Sequence, residues 1–188
     1  MRNWTLLFIG GCWAALALYW LLMAFGSKRT IERGGLIGYR LVGLAILGAC
    51  LLAGQLLGLS PHSRVWHTPL ALGVVSDFIV LAGAAFTVWA RITLGSNWSA
   101  EVTFKRDHEL ITSGPYALAR HPIYTGLLAM VLGAAINYGR FIGFALLLTV
   151  CGAIWWKARD EERIMSSHFP GAYADYRTRV RAIIPFVL

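Results

Sequence analysis

Charge is what this sequence has least of. Only 14% of its 188 residues are charged, against 57% that are hydrophobic, whereas a soluble domain carries about a quarter charged residues. That scarcity excludes a soluble globular protein. Acids are scarcer still, nine Asp and Glu against seventeen Lys and Arg, for a net charge of +8. Cysteine is limited to Cys12, Cys50 and Cys151, all within apolar runs and without CxxC spacing. This excludes a thiolate zinc centre or a disulfide framework and leaves three small hydrophobes. A GxGxxG turn is also missing, so a soluble dinucleotide-binding sheet is not expected.

What is present is long apolar chain. Residues 4–25 run without a charge and would form a helix of about 33 Å at ~1.5 Å per residue. A cleaved leader fits poorly, because only Arg2 precedes the run and no small-residue cleavage site precedes Lys28-Arg29. Runs at 41–59 and 70–90 follow, the latter holding one acid, Asp77. Two shorter runs, 123–136 and 141–156, are separated by Asn137-Tyr138-Gly139-Arg140. Each is below the ~20 residues of a straight span. The pair reads as a tight helical hairpin with Tyr138 and Arg140 at its interfacial tip; a re-entrant hairpin is the alternative. The expected fold is an all-α integral membrane protein of about five transmembrane helices. Residues 1–90 hold three spans, and 91–188 hold the hairpin (about 123–156) with a carboxyl-terminal helix and tail.

Five spans put the termini on opposite sides. Fourteen of the seventeen basic residues then fall on one side, leaving Arg2, Arg64 and Arg140 on the other. Cytoplasmic flanks carry the excess of Lys and Arg, so the amino terminus is expected outside and segments 91–122 and 157–188 in the cytoplasm; in a bacterium the membrane would be the inner one. The positive charge faces anionic lipid, and no nucleic-acid-binding motif accompanies it.

Both cytoplasmic segments are too long to be simple connections. In the first, 100–104 alternates like a strand, Lys105-Arg106-Asp107 turns, and 108–112 returns as its partner, an expected short β-hairpin. Ser113-Gly114-Pro115 breaks the chain again, and Pro122 suits the first turn of a helix. The second segment has no helix breaker before Pro170, so the last span should project outward. There Asp160, Glu161 and Glu162 stand among bases. They read either as a solvated flank, with Lys157 and Glu161 paired at i, i+4, or as a functional cluster. The tail reads either as an amphipathic surface helix or as a cover over 91–122. Within the spans, Asp77 is expected to pair structurally with Gln55, and Gly54/Gly58 and Gly139/Gly143 to mark close helix packing.

"HELITSGPYALARHPIYTG", followed about 35 residues later by "EERIMSSHFPGAYADYRTRVRAIIP", strongly resembles the isoprenylcysteine carboxyl methyltransferase family, whose membrane methyltransferases include phospholipid methyltransferase-like members. Leu94, Gly95, Trp98 and Ser99 match its upstream element, and the resemblance covers about residues 91–185. It implies a small cytoplasmic cofactor-binding region that takes S-adenosylmethionine. By the match the cofactor candidates are His108, Leu110, Gly114, Tyr116, His121, Pro122, Tyr124, Glu161 and Glu162. Carboxylates suit an ammonium or ribose diol, a glycine turn lets backbone approach a nucleotide, and tyrosine rings attract a cation. A carboxylate acceptor needs a cation to orient it. The family's base before the acidic pair falls at Lys157 or Arg159, and Arg159 is the catalytic choice for its two-pronged grip on a carboxylate. Glu162 is the second catalytic candidate. The implied substrate is a lipophilic carboxylate or isoprenylcysteine reached from the bilayer. The alternatives are N-methylation of a phospholipid amine, an NADPH-dependent sterol-type reductase, and a non-enzymatic membrane subunit. No metal and no nucleic-acid partner are expected.

Overall fold

The computed structural model describes residues 3–23, 30–33, 38–95, 103–105 and 110–184. The helices are α1 (Asn3–Met23), α2 (Gly38–Leu56), α3 (Leu70–Leu94), α4 (Pro122–Tyr138), α5 (Phe141–His168) and α6 (Pro170–Arg179), with a 3-10 turn at Gly114–Ala117. Four of them, Trp4–Met23 within α1, α2, α3 and α5, are long and apolar enough to cross a membrane, and α4 is a shorter apolar helix. Their outward faces carry large apolar side chains such as Leu7, Leu22, Leu56 and Phe78, a surface suited to lipid. The protein is an integral membrane protein.

Two helix pairs build the bundle, α3 against α4 and α2 against α5, with α1 packed on α3. Ile9 and Leu16 of α1, Val80 of α3 and Met130 of α4 form the buried core. The α3–α4 contact is close because glycines meet across it. A Cβ on Gly126 would stand 2.1 Å from Thr87 Oγ1 and 2.5 Å from the Gly83 carbonyl, and one on Gly133 would stand 2.8 Å from the Ser76 carbonyl. Small residues let membrane helices approach to backbone contact. The expected glycine pairs contribute only half of their members. Gly54 faces Phe141 and Gly143 faces Ala135, whereas Gly58 and Gly139 lie in turns with positive φ.

At the end away from the acidic pair, the α4–α5 turn is tied to the segment after α2. The amide of Val65 donates to the Gly139 carbonyl at 2.9 Å and that of Phe141 to the Ser63 carbonyl at 2.9 Å. Arg140 donates to the His62 carbonyl and stacks over Tyr138, which accounts for the anchoring residues at the hairpin tip.

Two expectations are corrected. A β-ladder exists, but it joins β1 (Thr30–Arg33) antiparallel to β2 (Thr103–Lys105). Residues 110–112 form no strand, so β2 takes its partner from the α1–α2 connection; local alternation identifies a strand but not a mate distant in sequence. Asp77 does not pair with Gln55. Both Asp77 carboxylate oxygens are buried without a hydrogen-bond partner among the described residues, while Gln55 is exposed on α2.

Candidate functional site

The site forms where α4 begins and α5 runs past its apolar part. Pro122 opens α4 and is fully buried; its missing N–H costs nothing at a first helical position. The residue before it, His121, is also buried and sits between the two acids of α5. Its Nδ1 lies 3.3 Å from Glu161 Oε2 and its Nε2 3.3 Å from Glu162 Oε1. Burial works against the charged ring, but hydrogen bonds and charge from Glu161 and Glu162 outweigh it and hold the His121 pKa above its ordinary value. The doubly protonated ring can donate to both carboxylates at once.

The two acids are held differently. Glu162 Oε1 accepts from Arg120 Nε at 2.8 Å and Nη2 at 2.6 Å, besides His121, and its second oxygen lies 3.7 Å from Arg177 Nε. Glu161 accepts from the Tyr124 hydroxyl and from His121, and its side chain is more open, 24% exposed against 13% for Glu162. The Tyr124 ring stacks on His121 at 5.5 Å between centroids. Beside it, Lys157 Nζ lies 5.5 Å from the Tyr124 ring and 5.5 Å from the ring of Tyr39 on α2.

A strap of chain after α6 closes one side. The amides of Arg120 and His121 donate to the carbonyls of Arg181 at 2.8 Å and Ala182 at 2.9 Å. Arg120 Nη1 reaches the Val180 carbonyl, and Thr125 Oγ1 that of Ile183. Tyr173 and Tyr176 are buried on α6, and the Tyr176 hydroxyl donates to the Tyr116 carbonyl. Burial, with Glu161 and Tyr176 nearby, pushes the Tyr116 phenol well up, only partly opposed by Arg91. Tyr116 is therefore a neutral phenol at all ordinary pH.

Of the candidates read from the sequence, His121, Pro122, Tyr124, Glu161 and Glu162 are thus one contiguous cluster, with Tyr116 behind it. Gly114 starts the 3-10 turn in the left-handed region, φ 59°, and is exposed. A Cβ there would meet nothing closer than Thr93 at 3.5 Å, so the conformation, not crowding, favours glycine. Leu110 is half-buried in the segment leading to that turn. His108, like Trp98 and Ser99, lies outside the described residues. Arg159 is not in the cluster: it is exposed, with its guanidinium 4.8 Å from the exposed Trp155 ring. Three contributors escaped the sequence reading. Arg120 stands in the quoted motif beside His121 but is not among the candidates taken from it. Lys157 was passed over for Arg159, and Tyr39 has no motif at all. No cluster of metal-ligating side chains exists among the described residues.

A family model described as phospholipid methyltransferase matches residues 71–172. The chain is 32% identical over 143 residues to the cobalt-zinc-cadmium resistance protein CzcN of Cupriavidus metallidurans, a match covering 72% of this chain and 58% of that protein. It is 34% identical over 101 residues to the protein-S-isoprenylcysteine O-methyltransferase of Schizosaccharomyces pombe (52% of this chain, 43% of the relative). It is 35% identical over 123 residues to the human protein-S-isoprenylcysteine O-methyltransferase (62% and 42%). The chain thus spans about half the length of the curated relatives it matches. The solved structure of a eukaryotic intramembrane Ras methyltransferase superposes with a TM-score of 0.59 at 20% identity, over 97% of this chain and 68% of that one, a likeness of fold.

Proposed function

The chain belongs to the phospholipid methyltransferase family, and on that premise we propose that it transfers a methyl group from S-adenosylmethionine to a lipophilic carboxylate, such as an isoprenylcysteine, at the cytoplasmic membrane interface. The observation that carries this reading is the pair of carboxylates, Glu161 and Glu162, gathered around His121 at the mouth of α4.

The donor set fits such a cofactor. Glu161 is the open acid of the pair and suits an ammonium or a ribose diol. The exposed turn at Gly114 offers backbone, and Tyr124 offers a ring face to a cation. Together with His108, Leu110, Tyr116, His121, Pro122 and Glu162, these are the residues that would hold it. When bound, S-adenosylmethionine supplies a methyl group activated by a sulfonium. The chain's task is then mainly positioning and exclusion of water. Glu162, fixed by Arg120 and His121, keeps negative charge at the reacting end. Tyr116, Tyr173 and Tyr176 pack that end against solvent. An acceptor carboxylate arriving from the bilayer would meet Arg159, exposed beside Trp155 and outside the cluster, on its way in. It would meet Lys157, beside Tyr124, at the cluster itself; a carboxylate needs no base to remove a proton.

One observation favours N-methylation of a phospholipid amine as a second reading. The rings of Tyr39 and Tyr124 already flank an ammonium, that of Lys157, and an amine head group has the same chemistry. An amine must lose a proton before transfer, so its methylation would rise with pH, whereas carboxylate methylation would not.

The test is titration of detergent-solubilised protein with S-adenosylmethionine and S-adenosylhomocysteine. Glu161→Gln and Glu162→Gln should each weaken binding by about 1–3 kcal/mol, the worth of a charged hydrogen bond. No binding by the parent protein, or unchanged affinity in both variants, would reduce the pair to structural partners of His121, Arg120 and Tyr124.

A further inference from the structure

The strap after α6 has two unlike faces. Its inner face is main chain, with carbonyls of Arg177, Val180, Arg181, Ala182 and Ile183 turned onto Arg120, His121 and Thr125. Its outer face is side chain. Arg177, Arg179 and Arg181 are exposed, and α6 holds a single acid, Asp175, whose carbonyl accepts from Arg179 Nε at 3.3 Å. Arg181 therefore uses its backbone to hold the site while its side chain stays exposed, and the side chain of Arg179 is exposed beside it.

Depth fixes what those guanidiniums meet. Thr125, bonded to Ile183, is in the first turn of α4, and Arg120 and His121 immediately precede that helix. The strap thus lies within one turn of the end of an apolar membrane helix, at the level of lipid head groups. Ile183 is buried, but Ile184 next to it is half exposed, an apolar side chain beside arginines, as interfacial segments carry.

We infer that the outer face of the strap, Arg179 and Arg181 with Arg177 beside them, docks on anionic phospholipid head groups, so that membrane charge helps to hold the strap over Arg120 and His121. Basic residues near an anionic leaflet gain from its surface potential, and the gain is lost within a Debye length. Arg177 also faces Glu162 at 3.7 Å, so Arg179 and Arg181 are the residues that report lipid docking alone. The inference does not depend on the reaction proposed above.

The experiment uses the full chain with its three native cysteines replaced by Ala and a fluorophore at Thr178→Cys, in nanodiscs of phosphatidylcholine alone or mixed with phosphatidylglycerol. Quenching by acrylamide, which is uncharged, should fall about twofold in the anionic discs, and high salt should restore it. R179Q/R181Q should remove the dependence on lipid charge, and R179K/R181K should keep it. Equal quenching in the two compositions would overturn the inference, as would a fall that survives high salt or the Gln substitutions. The salt comparison needs no arginine variant and decides the matter even where the Gln protein misfolds.

Discussion

His121 is the residue on which the rim's charge balance turns. Both ring nitrogens face carboxylates, and its raised pKa means that the folded protein binds this proton more tightly than the unfolded chain. Its contribution to stability is therefore fully present below the ordinary histidine value of about 6.5 and is lost as pH rises through the raised folded value. Melting of detergent-solubilised protein should show a Tm that declines across that window, and His121→Asn should flatten the decline. A parallel decline in the variant would assign the effect to another group. The motif around Arg120-His121-Pro122 made this residue legible, because its residue types are unusual at the end of an apolar run. Arg120's partner was not legible. Glu162 is 42 positions away, and which carboxylate an arginine meets is decided by how α4 and α5 pack. Lys157 and Arg159 illustrate the same limit. They are two residues apart, so helical geometry sends them to different faces, and nothing local says which face looks inward.

At the scale of elements, the glycine contact between α3 and α4 makes the sharpest prediction. Gly126→Ala gains helix propensity, yet its methyl would overlap the Thr87 hydroxyl and the Gly83 carbonyl, and backbone atoms cannot step aside. Overpacking of this kind costs about 1–3 kcal/mol, so Tm should fall clearly. Gly48→Ala on α2, where a Cβ meets nothing within 4 Å, should leave it unchanged or slightly higher. Equal effects of the two substitutions would show that the contact is looser than described. The helices themselves were read well from apolar runs, since lipid demands continuous hydrophobic chain. α5 continues to His168, as the absence of a breaker before Pro170 required. The pairing of β1 with β2 was not readable, because backbone hydrogen bonds between distant segments leave no periodic trace. For the tail, a cover over 91–122 was one of two open readings, and its hydrogen bonds to Tyr116, Arg120 and His121 select it. Gly83 and Gly126 were also overlooked: a spacing rule within one helix cannot find glycines that face each other from two.

For the whole molecule, the distribution of basic residues sets the expected orientation. On the expected five spans, fourteen of the seventeen fall on one side, the side on which the candidate site is expected too. With the native cysteines removed, probes at Ser63→Cys and Thr178→Cys should react from opposite sides of intact spheroplasts, the first from outside and the second only after permeabilisation. Equal reaction from outside would overturn the orientation and, with it, the cytoplasmic placement of the site. The 17-residue α4 is only about 25 Å long at ~1.5 Å per residue. Its backbone contact with α3 and its tether through Gly139 to the segment after α2 are what seat so short a helix in the bundle.

The strap also sets an order in time. A chain is made from its amino terminus, and α1 to α4 leave the ribosome before α5 and everything after it. When Arg120 and His121 emerge, neither the acids that flank the imidazole nor the carbonyls at 181 and 182 that receive their amides have yet been synthesised. The bundle can be seated in lipid while the rim is still open, and the rim closes only when the last of these carbonyls arrives. Synthesis arrested before residue 181 would therefore leave an inserted protein whose rim had never been closed over Arg120 and His121.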